Sequence, residues 1–137
     1  MIALRAATLA DCERVWEWNF APDVRAVSND PTVVELDRHT QWFATRVAAG
    51  AFWIIEVAGA ACGSVRIDGG RISIALSVSA RGKGIGKRAI AAACAAWARP
   101  VTAQVREDNQ PSRAAFEACG FVVNQNADRV VTYQWRP

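Results

Sequence analysis

Ile72-Ser73-Ile74-Ala75-Leu76-Ser77-Val78-Ser79, followed by Ala80-Arg81-Gly82-Lys83-Gly84-Ile85-Gly86-Lys87, is the stretch whose reading decides the fold. Its first half alternates bulky apolar with small residues, the period of a strand. One face is bulky; the other is small enough to leave room for a ligand or a packed helix. The second half places glycine at every other position and then opens an Ala-rich segment. Glycines at 82, 84 and 86 let the backbone turn tightly and come close to a ligand. The helix that follows aims unpaired N–H groups and the positive end of its dipole into the loop. Such a turn is an anion seat, most often for phosphate. The chain has 16 Lys and Arg residues, yet its only two lysines, Lys83 and Lys87, both sit here. A phosphorylated ligand held at 81–87 is therefore expected.

Three phosphate loops compete for this segment. A Walker loop needs Gly six positions before its Lys and Ser or Thr just after; Arg81 and Arg88 stand there, so it fails. A dinucleotide fingerprint fits locally as Gly84-Ile85-Gly86-Lys87-Arg88-Ala89, but that fold would want this strand first in a βαβ unit, and it comes late. The third pattern, Arg/Gln-x-x-Gly-x-Gly/Ala, is met by Arg81, Gly84 and Gly86. A second motif separates them. Asn109-Gln110-Pro111-Ser112-Arg113-Ala114-Ala115-Phe116-Glu117-Ala118-Cys119-Gly120-Phe121 follows Asn-x-x-Ser/Ala, an aromatic four residues on, then Gly-Phe.

The two motifs together resemble the Gcn5-related N-acetyltransferase (GNAT) superfamily, over nearly the whole chain and most closely from 71 to 121. The resemblance implies acetyl-CoA as acyl donor. It implies that Arg81, Gly82, Lys83, Gly84, Ile85, Gly86 and Lys87 hold the pyrophosphate. Leu76, Ser77 and Val78 would meet the pantetheine, with a backbone N–H of Leu76 or Val78 at the acetyl oxygen, and Asn109, Ser112 and Phe116 would line the distal arm. Many relatives carry Tyr where this chain has Phe116, and Phe cannot donate a proton. Tyr133, the only Tyr, is read as a replacement acid or, preferably, a packing residue. Relatives often place a carboxylate base on the strand at 72–79, which here has none. His39, the only His, could accept a proton near neutral pH, bind substrate or make a structural hydrogen bond. Glu17 and Glu56 are weaker candidates for a base.

The front half, with Trp16-Glu17-Trp18-Asn19, Asp23-Val24-Arg25 and His39-Thr40-Gln41-Trp42-Phe43, resembles small amino-sugar acetyltransferases of the pseudaminic-acid type. It is also similar to ribosomal-protein N-terminal and aminoglycoside acetyltransferases. On this reading Trp18 and Trp42 stack on a sugar or base, or are core aromatics, and Arg25 meets a substrate phosphate or solvent. The expected acceptor is a primary amine of a small molecule, a nucleotide-linked amino sugar being one candidate. A peptide α-amine, or a domain that binds acyl-CoA without turnover, remain alternatives.

Composition bounds the rest. At 137 residues, 52% hydrophobic and 21% charged, the chain reads as one globular domain over 1–137. A net charge of +3 suits a small polyanion and gives no argument for nucleic acid. Cys12, Cys62, Cys94 and Cys119 form no CxxC pair, and with one His no metal set is read; buried free thiols are expected at 12, 94 and 119. Met1-Ile2-Ala3-Leu4-Arg5 runs straight into a strand pattern, so no signal peptide is read. The apolar run at 89–98 is too short to span a membrane. A cytoplasmic setting is the simplest. The expected order is β-α-α-βββ-α-β-α-ββ, an α/β fold with a GNAT-like, mainly antiparallel sheet flanked by helices. Ser28-Asn29-Asp30-Pro31 reads as a loop, and Leu36, Thr40, Phe43 and Val47 as one face of a helix. The exposed face of a terminal strand would allow a homodimer.

Overall fold

A computed structural model describes residues 2–27 and 32–137; the loop read at 28–31 lies outside them. Seven strands form one sheet in the order β1-β2-β3-β4-β5-β7-β6. They are β1 (Ile2–Ala6), β2 (Phe52–Val57), β3 (Ala60–Asp68), β4 (Arg71–Leu76), β5 (Val101–Arg106), β6 (Val122–Ala127) and β7 (Val130–Trp135). Helices α1 (Cys12–Asn19), α2 (Pro22–Ala26) and α3 (Leu36–Ala49) precede β2; α4 (Ile85–Trp97) and α5 (Gln110–Ala118) flank β5 in sequence. The mixed, mainly antiparallel sheet is the one expected; the element order differs by one helix, the short α2, which Pro22 starts separately after α1 has ended at Asn19.

Each hairpin is set by its turn. Ala58 and Gly59 both have positive φ, the geometry that matches the twist of a two-residue hairpin. Gly69 and Gly70 do the same for β3–β4. At the start of α1, the Thr8 N–H donates to Asp11 Oδ2 at 2.9 Å, and Arg5 donates to both oxygens of that carboxylate at 2.8 and 2.9 Å. These bonds hold the Asp11 carboxyl below the usual carboxylate range, the Arg5 bond being the largest cause.

The sheet carries a core on each face. In α4 the buried residues Ile85, Ala89, Ile90, Ala93 and Cys94 form one helical stripe. They join Ile55, Val65, Ile67, Ile72, Phe116, Phe121 and Tyr133 in the larger core. A smaller core gathers Val15, Phe43, Phe52 and Ile54. On α3 the pattern needs one correction: His39 and Phe43 are buried and Thr40 is exposed. The imidazole can be buried because a backbone carbonyl satisfies it, whereas the Thr40 hydroxyl bonds back to the Leu36 carbonyl at 2.8 Å. All four thiols are free; Cys94 is buried, while Cys12, Cys62 and Cys119 are half-buried. Burial pushes the Cys94 thiol up to about 12. Among the described residues no helix is long and apolar enough to cross a membrane.

Candidate active site

The site begins where the sheet opens. β4 and β5 are parallel neighbours, yet their ladder consists of a single register pair, Arg71 with Thr102. Beyond it the strands diverge. The N–H of Thr102 donates to Gly70 O, so even-numbered residues of β4 direct their polar groups toward β5. The N–H of Ser77 donates to Cys62 O, so odd-numbered residues face β3. Strand alternation then points the backbone groups of Ile74 and Leu76 into the wedge that β5 has vacated. The sequence alternation suggested a strand running on to Ser79. β4 instead stops at Leu76, and Val78–Ala80 form a 3-10 turn in which Val78 is 70% exposed. Ser77 still donates to Cys62 of β3, but its own carbonyl accepts from the Ala80 N–H at 3.0 Å, and that turn carries the chain away from β3.

Two cavities meet at this wedge. One, of about 760 Å³, runs along the glycine loop and the start of α5, lined by Leu76, Arg81, Gly82, Gly84, Gly86 and Lys87 together with Pro111 and Ala115. The other, of about 490 Å³, lies between α1–α3 and the small face of β4, lined by Arg25, Arg38, His39, Trp42, Arg66 and Ser73 and closed by Gln104 and Arg106 of β5. Val24, Val27, Ile74, Ala75, Asn109, Ser112 and Phe116 line both. Reacting groups entering from the two sides would meet among these seven residues.

The loop cavity fits a pyrophosphate. Gly82 and Gly84 take left-handed φ of +73° and +74°, and Gly84 caps α4 with no side-chain hydrogen bond. The first-turn N–H groups of α4 are thus left open toward the loop. Gly86 has Leu76 Cδ1 at 3.5 Å from where a Cβ would stand, so helix and strand approach closely. Lys83 and Lys87 are exposed. Arg81 bonds Asp23 and donates to the Leu76 carbonyl at 3.1 Å, spanning the cavity from loop to β4. Asn109 caps α5, its Oδ1 accepting from the Ser112 N–H at 3.4 Å. Of the residues read as cofactor contacts, Ser77, Val78, Lys83 and Ile85 line neither cavity.

Phe116 is 3% exposed, packed edge-on against Phe121 and parallel to Tyr133. The Tyr133 hydroxyl donates to Glu117 Oε2 at 2.5 Å and accepts from Arg113 Nε at 3.1 Å. Tyr133 is fully buried and lines neither cavity. His39 lines the wedge cavity, held between Phe20, Trp42 and Phe43. Its Nε2 lies 3.0 Å from the Cys12 carbonyl. A carbonyl only accepts, so Nε2 carries the hydrogen and Nδ1 the lone pair. Burial holds the His39 pKa below its usual 6.5, with the Arg66 charge acting in the same direction.

A depressed pKa makes the neutral ring part of the folded state's stability, present above 6.5 and lost as pH falls through the folded value. The melting temperature is expected to drop as pH goes from about 7 to 5, and this part of the drop should vanish in His39→Gln. Identical pH profiles for the two proteins would remove His39 as the cause.

Trp42 and Arg25 line the wedge cavity; Trp18 packs instead against the smaller core. Glu56 pairs with Arg5, and neither it nor Glu17 reaches a cavity. Sequence reading missed Arg38, Arg66, Gln104 and Arg106 because they come from three separate elements and share no motif.

Residues 2–122 match the acetyltransferase (GNAT) domain family. The chain belongs to that family, whose acyl donor is acetyl-CoA, and is an acetyl-CoA-dependent N-acetyltransferase. Solved structures agree in fold. The yncA structure from Salmonella typhimurium, with its cofactor acetyl-CoA, superposes at TM-score 0.81 and 18% identity, over 99% of this chain and 94% of that one. Spermidine N-acetyltransferase from Vibrio cholerae, with CoA and spermine, gives 0.81 and 16%, over 97% and 92%. RimL, a ribosomal L7/L12 α-N-protein acetyltransferase bound to CoA, gives 0.81 and 19%, over 98% and 93%. No curated protein sequence matches the chain.

Proposed function

We propose that this chain transfers the acetyl group of acetyl-CoA to the primary amine of a small molecule bound in the wedge cavity. The observation that carries the reading is the pair of cavities meeting where Val24 and Val27 face Ile74, Ala75, Asn109, Ser112 and Phe116. A concave site of about 490 Å³ is the size of a small-molecule pocket. A nucleotide-linked amino sugar of the pseudaminic-acid type falls within that class.

Bound acetyl-CoA supplies a thioester whose carbonyl carbon takes the amine lone pair as the C–S bond breaks. Residues of this chain do the rest. Backbone N–H groups at the open glycine loop hold the pyrophosphate, with Lys83 and Lys87 adding charge at its rim. The Leu76 N–H, directed into the wedge, stabilises the negative charge that develops on the acetyl oxygen. Ser112 is the only hydroxyl shared by both linings among the described residues, and it donates a hydrogen bond to the departing sulfur. Solvent completes the proton transfer that Phe116 cannot. Tyr133 is assigned to packing, since its hydroxyl hydrogen is committed to Glu117, and His39 to positioning, since burial disfavours the protonated ring that a base must become.

The test pairs stability with turnover. Acetyl-CoA and CoA should raise the melting temperature, by the equivalent of about 2.7 kcal/mol at a hundred times the dissociation constant, and NAD should not. CoA release should then require an added small amine. Release driven by a peptide with a free α-amine, but by no small amine, would move the assignment to peptides. Stabilisation without release by any amine would leave a binding module.

A further inference from the structure

We infer that the acceptor amine carries an anionic group, phosphate or carboxylate, and that polyamines are excluded; this rests on the transferase reading above. Arg25, Arg38, Arg66 and Arg106 all line the wedge cavity, and no Asp or Glu is among its described lining residues. The nearby carboxylates do not balance them. Arg106 is satisfied by Asp108 Oδ2 and the Ala26 carbonyl, each at 2.7 Å. Asp68 is shared between Arg66 Nε at 2.8 Å and Arg46 Nη1 at 3.1 Å, one carboxylate for two guanidinium groups. Arg38 makes no ion pair among the described residues. Net positive charge therefore remains even with Arg25 left out of the count.

Arg66 is also built to receive an anion. Its guanidinium lies 4.8 Å from the Trp42 ring centroid, and Asp68 holds its Nε. The terminal nitrogens bond nothing among the described residues. A guanidinium clamped by stacking on one side and an ion pair on another loses little freedom when it grips a carboxylate or phosphate. A dicationic ligand would meet like charge at Arg38 and Arg66 with no carboxylate among the described lining residues, in a cavity where charges are screened less than in water.

The same arginines account for the missing base. An ammonium group placed among cations loses its proton more readily, because like charge disfavours the charged form. The anionic end of the acceptor is held while its amine end is brought to the neutral form that attacks. No carboxylate is then needed to remove the proton, which passes to solvent.

The experiment uses protein saturated with CoA, so that the glycine loop is already filled. O-phosphoethanolamine, β-alanine, ethanolamine and 1,3-diaminopropane are titrated by calorimetry, and each is assayed for CoA release from acetyl-CoA. The expected result is binding of the first two and not of the last two, with the stronger of the first pair telling phosphate from carboxylate. Arg38→Gln and Arg66→Gln should each weaken that binding about tenfold while leaving CoA affinity unchanged. Binding of ethanolamine or the diamine as tight as that of the anions overturns the inference. So does silence of both anions at millimolar concentration, or anion binding unaltered in the Arg38→Gln, Arg66→Gln double variant. If CoA itself fails to stabilise the protein, the transferase reading fails instead.

Discussion

Gly84→Val is expected to lower acetyl-CoA affinity about a hundredfold, the equivalent of about 2.7 kcal/mol, in a protein that still folds. Gly84 holds φ +74° and ψ 9° at the entrance of α4 and lines the loop cavity. Space is not the obstacle to folding, because the nearest atom to an added Cβ is an Arg88 guanidinium nitrogen at 4.0 Å. Left-handed backbone costs a β-branched residue about 1–2 kcal/mol, a loss a domain can absorb. The larger effect falls on the ligand. Valine methyl groups would stand in the lining against which a pyrophosphate must come close enough to meet backbone N–H groups. Gly59→Val separates the two effects. Gly59 has φ +80°, nothing within 4 Å of its added Cβ and no place in either cavity. It should lose similar stability and keep full affinity. Calorimetric titration of all three proteins with acetyl-CoA decides, and undiminished affinity in Gly84→Val would remove the loop as the phosphate seat.

How much of this was legible in the sequence follows from how local each feature is. The glycine loop is written in consecutive residues, so the spacing of Gly82, Gly84 and Gly86 alone is enough to place a tight turn at the entrance of α4, whereas the Asn109 cap on Ser112 shows only in the structure. The wedge cavity is not local. Arg25, Arg38, Arg66 and Arg106 belong to α2, α3, β3 and β5, and only the sheet order brings them to one wall. Helical spacing put His39 beside the apolar face of α3, because a periodicity cannot anticipate that the Cys12 carbonyl will satisfy a buried ring. The strand signal overran β4 for a related reason: alternation through Val78 says nothing of the 3-10 turn that Ser77 opens by accepting from the Ala80 N–H. As the lone Tyr, Tyr133 invited a chemical role. Its register opposite Ala103 of β5 puts its hydroxyl between Arg113 and Glu117.

Gly63→Ala is expected to cost about 3 kcal/mol of stability, although it adds one methyl group in mid-strand. Gly63 is buried and pairs with Leu76 at the end of the β3–β4 ladder. An added Cβ would lie 2.5 Å from the Ala75 carbonyl oxygen, 2.8 Å from Leu76 Cδ2 and 3.1 Å from Leu76 Cα. Two of these are backbone atoms, so no rotamer change relieves them and β4 itself must move. Beside Gly63 the register of β3 against β2 shifts, leaving Cys62 as an extra residue whose carbonyl accepts from Ser77. That bulge fixes where Leu76 sits and so where its N–H points into the wedge. The methyl group therefore displaces the donor assigned to the acetyl oxygen, and a displacement of about 1 Å at a reacting centre costs roughly a hundredfold in rate. Thermal unfolding and kcat/KM should fall together, while acetyl-CoA affinity, set mainly at the glycine loop, should change little. Wild-type turnover in a destabilised Gly63→Ala protein would mean that the Leu76 backbone is not where the acetyl oxygen is held.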